Sequence, residues 1–107
     1  ADWVYLKINE VEYKNRFSMS KNMIVTQGGN GASLYQFKNE KHFPTTPVDV
    51  VDVCGCGDTF LAALVVQYLC TNNLAESIMF ANTAAGITVQ HRGNYAPRYE
   101  EIEILHA

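Results

Sequence analysis

Apolar residues alternate or run in short stretches through the first half of the chain and recur at helical spacing through the second half. Trp3-Val4-Tyr5-Leu6-Lys7-Ile8 is rich in strand formers and ends at Asn9, which predicts a buried strand followed by a turn. Glu10 to Phe17 is polar and predicts a short helix. Met23-Ile24-Val25-Thr26 predicts a second strand, stopped by Gln27-Gly28-Gly29-Asn30-Gly31. Ala32 to Phe37 alternates loosely and pairs with it as a hairpin across the glycines. Lys38-Asn39-Glu40-Lys41 reads as the next turn, and His42-Phe43, cut by Pro44 and Pro47, as an edge or linker segment. Val48 to Val53 is strand-like. Trp3, Tyr5, Tyr35 and Phe37 are expected to pack in the sheet.

Beyond Asp58 the spacing changes. Phe60, Leu61, Leu64, Val65, Tyr68 and Leu69 recur at three- and four-residue steps and predict one helix face, ended by Asn72-Asn73. A second helix from Leu74 to Val89 carries Ile78, Met79, Ala81, Ala84, Ala85 and Ile87, and its alanines admit a close neighbour, helix or ligand. Arg92-Gly93-Asn94 stops it, Pro97 follows, and Tyr99 to Leu105 predicts a short last helix. Glu100, Glu101 and Glu103 read as a solvated face. Strands first and helices last imply an α/β architecture with helices covering one edge of a sheet. No internal repeat or low-complexity segment interrupts the pattern.

Composition narrows the functional classes. The 107 residues are 48% hydrophobic and 18% charged, as a core-forming domain requires. Eight basic against eleven acidic residues give a net charge of −3, which speaks against a nucleic-acid footprint. The longest apolar run, Phe60 to Val66, falls well short of the roughly 18–20 residues of a membrane span. The start, Ala1-Asp2-Trp3-Val4, has no basic region of a signal peptide, and its abruptness suggests a fragment or processed chain. Three cysteines, Cys54, Cys56 and Cys70, without framework spacing fit a reducing, cytoplasmic compartment. Cys54-x-Cys56 has no second pair to complete a metal site, so the pair reads as small side chains in a glycine-rich turn.

The densest chemistry lies in Asp52-Val53-Cys54-Gly55-Cys56-Gly57-Asp58-Thr59-Phe60. A glycine-bracketed loop feeding a helix presents free backbone N–H groups, reinforced by the positive end of the helix dipole. Such a loop holds a phosphoryl group and its developing charge without a basic side chain. Asp58, at the helix start, has two readings on spacing alone: a general base for a substrate hydroxyl, or an N-cap.

Gly55-Cys56-Gly57-Asp58-Thr59-Phe60 resembles the Gly-Ala-Gly-Asp-Thr-Phe signature of the ribokinase-like (PfkB) carbohydrate kinases. Asp52 stands where that family places an aspartate just upstream. Val25-Thr26-Gln27-Gly28-Gly29-Asn30-Gly31 is similar to its Thr-Leu-Gly-x-x-Gly nucleotide segment, and Asn9-Glu10-Val11-Glu12 to its Asn-x-x-Glu motif. Phe80-Ala81-Asn82-Thr83-Ala84-Ala85-Gly86 and Val89-Gln90-His91-Arg92-Gly93 resemble its last nucleotide-side helix and the following turn. The motifs come in the family's order from Asn9 to Pro97. The segment Gln90 to Pro97 faintly resembles the heptose-phosphate kinase branch.

The resemblance implies a three-layer α/β/α ribokinase-like fold, with residues 1–107 as its C-terminal, nucleotide-binding portion and the N-terminal substrate half absent. It implies transfer of the γ-phosphoryl group of ATP to a hydroxyl of a sugar or sugar phosphate, with Mg2+. Asp58 would be the catalytic base, and Gly55, Cys56 and Gly57 the anion hole. Asn9 and Glu12 would organise Mg2+ through water; Thr26, Gly28 and Gly31 would approach the nucleotide, with Asn82 at the adenine end. Asp52, Cys54 and Gly93 fall near positions where many members bind a monovalent cation such as K+. A longer parent would pair as a homodimer through the family's lid, which lies outside this sequence. A vitamin or nucleoside kinase of the same superfamily, or a non-catalytic nucleotide-binding fragment, are the other readings.

Each motif also has a plainer reading. Asn9-x-x-Glu12 is a helix cap with a reaching carboxylate, residues 28–31 are a hairpin turn, and Asn82 is a half-buried helix residue. The sequence departs from the family at two places. Cys56 replaces the usual alanine, which leaves the backbone N–H in place. Only about a dozen residues separate Glu12 from Val25, where the family usually has a further helix and strand.

Overall fold

The computed structural model describes residues 6–9, 22–36, 39–93 and 95–106. They divide into two compact units, Ala1–Pro44 and Thr45–Ala107. The expected short helix over Glu10–Phe17, and Trp3, Tyr5, Glu12 and Phe37, lie outside the described residues.

The first unit is a four-stranded sheet: β1 (Leu6–Asn9), β2 (Asn22–Thr26), β3 (Ala32–Gln36) and β4 (Asn39–Phe43), in that spatial order. β1 runs parallel to β2, with Leu6 opposite Met23 and Asn9 opposite Thr26. A parallel pair needs a crossover of roughly a dozen residues or more, and residues 10–21 are all the chain provides here. β2, β3 and β4 are antiparallel neighbours, so the expected hairpin across the glycines is present.

Met23, Ile24 and Val25 are all buried, so both faces of β2 are covered, as a central strand requires. Tyr35, opposite Met23, packs against Met23 and Val25. Period-two geometry puts Ser33 and His42 on one face at paired register positions, and Ser33 Oγ lies 3.0 Å from His42 Nδ1. The same hydroxyl donates to Gln27 Oε1 at 3.1 Å, which satisfies a buried serine. The turn expected over residues 38–41 is displaced, because Asn39, Glu40 and Lys41 belong to β4. Alternating charge on a sheet edge is compatible with pairing, and the exposed pattern of Asn39, Glu40, Lys41 and His42 keeps that edge polar.

The second unit is helical: α1 (Cys56–Thr71), α2 (Leu74–Val89) and α3 (Tyr99–His106). The strand-like stretch Val48–Val53 is not a strand. Val48, Val50, Val51 and Val53 are exposed, and the backbone of Val51 and Asp52 donates instead to the carbonyl of Val89 at 2.7 and 3.0 Å. β-branched composition favoured a ladder there, but the N–H groups are spent on the end of α2.

α1 and α2 pack against each other. The buried stripe of α1 is Phe60, Ala63, Leu64 and Gln67, whereas Leu61, Val65 and Leu69 of the expected face are exposed. The seam is therefore rotated toward Ala63 and Gln67. Gln67 explains the rotation: its Nε2 donates to the Glu76 carboxylate at 3.2 Å, and its Oε1 accepts from the Tyr99 hydroxyl at 3.0 Å. A polar residue with partners on two other helices is stably buried, and it draws the seam with it. Between the helices the chain reverses on two asparagines. Asn72 caps α1 in the left-handed region at φ 54°, and Asn73 Oδ1 accepts from the N–H of Glu76 to cap α2. Phe80 and Tyr99 hold α3 on α2 with ring centroids 5.2 Å apart.

Candidate functional site

The start of α1 is set by Gly55. Its φ of 77° and ψ of 1° lie in the left-handed region, where glycine pays no Cβ penalty, and Cys56 N–H closes a turn on the Val53 carbonyl at 3.3 Å. Gly55, not Asp58, is the N-cap, so the capping reading of Asp58 does not hold. Asp58 lies inside the first turn with its side chain exposed, where a carboxylate is favoured by the helix dipole. The first intrahelical bond runs from Thr59 N–H to the Gly55 carbonyl at 2.9 Å. Among the described residues, the N–H groups of Gly57 and Asp58 have no acceptor. That leaves two donors and a positive dipole end beside one exposed carboxylate. The N–H of Cys56, expected in the anion hole, is already turned to the Val53 carbonyl.

Two bridges hold this loop against the turn that follows α2. Asp52 Oδ1 accepts from Cys54 N–H at 2.9 Å, and its Oδ2 from Gly93 N–H at 3.0 Å. Asp52, Cys54 and Gly93, expected near one another as a cation site, are thus brought together. The second bridge is the buried hydroxyl of Thr88, 2.9 Å from both Thr59 Oγ1 and the Tyr95 carbonyl. A carbonyl only accepts, so Thr88 donates to Tyr95 and receives the Thr59 proton. Neither Thr88 nor Tyr95 stood out in the sequence, where one threonine in an alanine-rich helix carries no signal.

The turn itself is braced further. His91 stacks on Tyr95 with centroids 3.7 Å apart and 8° between planes, and its Nδ1–H donates to the Ile87 carbonyl at 2.9 Å. The Tyr95 hydroxyl donates to both oxygens of Glu101 at 2.9 Å, and Arg98 N–H adds a third bond at 2.9 Å. Glu101 is therefore a bracing group rather than part of a solvated face. The Arg98 N–H, then the Tyr95 hydroxyl, hold its carboxyl below the ordinary value.

The N–H of Cys54, and after it that of Gly93, lower the pKa of Asp52 from 3.8. A depressed carboxylate stabilises the fold above its unfolded value, and that contribution is lost as pH falls through the folded value, here below 3.8. In an NMR titration the amide resonances of Cys54 and Gly93 are expected to move together, with one midpoint below 3.8. Asp52→Ala should abolish both transitions. Separate midpoints for the two amides would break the bridge.

In the first unit, Thr26 ends β2, and a 3-10 turn over Gly28–Asn30 follows. Gln27 N–H donates to the Gly31 carbonyl at 2.8 Å, and Gly31 N–H to the Gly28 carbonyl at 3.1 Å. Gly28, at φ 57°, is exposed, and nothing lies within 4 Å of where its Cβ would be. Gly31 is buried at φ 91°, with the Phe43 carbonyl oxygen occupying the place of a side chain. Gly28 therefore offers open backbone to a ligand, while Gly31 answers first to the close approach of β4.

Asn82 is buried in the middle of α2 at 6% exposure, deeper than the half-buried position expected. Asn9 ends β1, and Glu12 lies outside the described residues. Among the described residues, no three His, Cys, Asp or Glu side chains gather as metal ligands, and no helix is long and apolar enough to cross a membrane.

Comparison with known proteins bears on the family and the fold. Residues 7–101 match the family described as pfkB family carbohydrate kinase. The Bifunctional protein HldE of Shewanella piezotolerans is 40% identical over 85 residues, which cover 78% of this chain and 18% of that protein. The chain thus spans about a fifth of the length of the curated relatives it matches. The ribokinase of Thermotoga maritima superposes with a TM-score of 0.83 at 31% identity, over 94% of this chain and 41% of its own. The aminoimidazole riboside kinase of Salmonella enterica, complexed with aminoimidazole riboside and an ATP analogue, gives a TM-score of 0.83 at 27% identity, over 96% and 42%. The fold is ribokinase-like, of the α/β class.

Proposed function

Because the chain belongs to the pfkB family of carbohydrate kinases, we propose that it forms the C-terminal, nucleotide-side portion of an enzyme that phosphorylates a sugar or sugar phosphate. ATP is the donor, and a hydroxyl of the sugar is the acceptor. The observation that carries this reading is the start of α1: two unpaired N–H groups, at Gly57 and Asp58, beside the exposed Asp58 carboxylate.

In this scheme Asp58 takes the proton of the acceptor hydroxyl as the hydroxyl oxygen attacks the γ-phosphorus of ATP, the bond to the bridging oxygen breaks, and ADP leaves. The backbone N–H groups of Gly57 and Asp58 receive the phosphoryl oxygens, whose charge is spread in the loose transition state. Asp52 and Thr88 keep the loop from shifting as that charge moves, which matters because phosphoryl transfer depends chiefly on positioning. The open backbone at Gly28, with Thr26, faces the nucleotide, and Asn82 supports the adenine end from within α2. Asn9 and Glu12 are the residues proposed to hold Mg2+ through water, and the ion would supply neutralisation of phosphate charge. Asp52, Cys54 and Gly93, held together by the Asp52 carboxylate, are proposed to bind a monovalent cation such as K+. The longer parent is proposed to act as a cytoplasmic homodimer.

A nucleoside acceptor is the second reading, favoured by the riboside-bound Salmonella relative. The test is ADP formation by a longer protein containing this chain, with Mg-ATP and separate pools of sugars, sugar phosphates and nucleosides. Turnover is expected with a sugar or sugar-phosphate pool and should rise when potassium replaces an organic cation at equal ionic strength. Turnover with nucleosides alone moves the assignment to the second reading. The 107-residue chain by itself is expected to give none, since it covers 41% of the ribokinase it superposes on and transfer depends on holding the acceptor in line.

A further inference from the structure

The two cysteines that bracket Gly55 have side chains that phosphoryl transfer does not use. Both are free thiols; Cys54 is exposed and Cys56 half-buried. They occupy the second and fourth positions of the turn closed by Cys56 N–H on the Val53 carbonyl, with the left-handed Gly55 between them. A residue with left-handed helical torsions spaces its two neighbours as a helix does. On a helix of about 2.3 Å radius and 1.5 Å rise, that separation is about 5.5 Å between Cα atoms. Disulfides form at Cα separations of about 4.4–6.8 Å, so the turn holds the pair within bonding range. The bond from Cys54 N–H to Asp52 fixes the entry to the turn. Cys70, also exposed, is in the last turn of α1, fourteen positions beyond Cys56. At about 1.5 Å per residue it is roughly 21 Å away and cannot substitute for either partner.

We propose that Cys54 and Cys56 are a reversible thiol pair that a hydroperoxide converts to a disulfide across Gly55, closing the phosphoryl loop. The exposed Cys54 sulfur attacks the hydroperoxide; the O–O bond breaks, an alcohol or water leaves with the thiol proton, and Cys54 becomes a sulfenic acid. The Cys56 sulfur then attacks Cys54 sulfur. The S–S bond forms, the S–O bond breaks, and hydroxide leaves as water with the second thiol proton. Two thiols are oxidised by two electrons in all, and one hydroperoxide is reduced. Because a single residue separates the partners, the second step is intramolecular and fast. The short ring is strained, which makes the bond easy for a dithiol to reduce. Its effect on turnover rests on the kinase reading above, whereas the thiol chemistry does not.

The probe is hydrogen peroxide at one equivalent, followed by alkylation and peptide mass mapping of the folded chain. The peptide holding Cys54 and Cys56 is expected to lose about 2 Da, reversed by dithiothreitol, while Cys70 stays alkylatable. Cys54→Ser and Cys56→Ser should each abolish that loss, and Cys56→Ser should leave the Cys54 sulfenic acid open to dimedone. A gain of about 16 or 32 Da at both cysteines, with no loss of 2 Da, overturns the proposal. So does a disulfide that persists in either single variant. In the longer protein, oxidation should suppress ADP formation and dithiothreitol restore it, each variant being compared with its own reduced form. A disulfide that forms without changing turnover overturns the closure of the loop. A reduced protein with no turnover removes the kinase reading instead, and the mass shift still decides the pair.

Discussion

Replacing Asp58 by Asn in the longer protein is expected to lower kcat by about 10²–10⁴-fold, the usual contribution of a positioned acid–base group. The fold should be untouched. Asp58 caps nothing, since Gly55 is the N-cap, and its carboxylate is exposed. Asn keeps the size and the backbone N–H and removes only the ability to accept the hydroxyl proton. KM for ATP should change little, because the donors proposed to meet the phosphates are main-chain groups. The checks are steady-state kinetics beside a thermal melt. A loss under tenfold with an unchanged melt would take the base role away from Asp58.

Gly31→Ala is expected to destabilise the sheet unit by about 2–4 kcal/mol, combining a torsion that L-residues rarely adopt with an overlap that cannot relax. Gly31 is at φ 91° and ψ −136°, and a Cβ there would overlap the Phe43 carbonyl oxygen and come within 3.0 Å of the Pro44 Cα. Both obstacles are backbone, so no side-chain rotamer gives way. Gly29→Ala is the control, since its φ is ordinary and nothing lies within 4 Å of the added carbon. Urea melts followed by tyrosine fluorescence should separate the two variants clearly. Equal midpoints for both, with nucleotide binding lost only in Gly31→Ala, would shift Gly31 from holding β4 to contacting ligand.

The helices were legible because their signals are local. Asn72-Asn73 marks the junction of α1 and α2 by cap chemistry alone, and Leu74 to Val89 is the observed extent of α2. The hairpin followed from glycines between two strand-forming runs. Three features escaped. The buried stripe of α1 turns on Gln67, whose partners Glu76 and Tyr99 are set by tertiary packing. Val48–Val53 has strand composition, yet its donors are claimed by the carbonyl of Val89, a residue far along the chain. β4 is polar at four of five positions, and pattern reading treats such a segment as a turn. At the candidate site, the glycine–aspartate run announced itself through motif spacing. Its supports, Thr88, Tyr95, His91 and Glu101, did not, because each acts through a contact that only the folded chain creates.

The bridges from Asp52 to Gly93 and from Thr59 to Thr88 join positions 41 and 29 residues apart. Neither can form until α1 and α2 have folded back on each other, because closing a loop of that length costs entropy that only the helix pair offsets. Assembly of the loop from Asp52 to Asp58 is thereby expected late in folding, dependent on a helical hairpin that needs only short-range contacts to begin. The same ordering runs in reverse under denaturant: two part-buried hydrogen-bonded ties give way before the buried side chains of Phe60, Leu64, Ile78 and Phe80. A chain can therefore keep its helical signal and have already lost the geometry at Asp58, so helix content is a poor gauge of how much competent protein a sample holds.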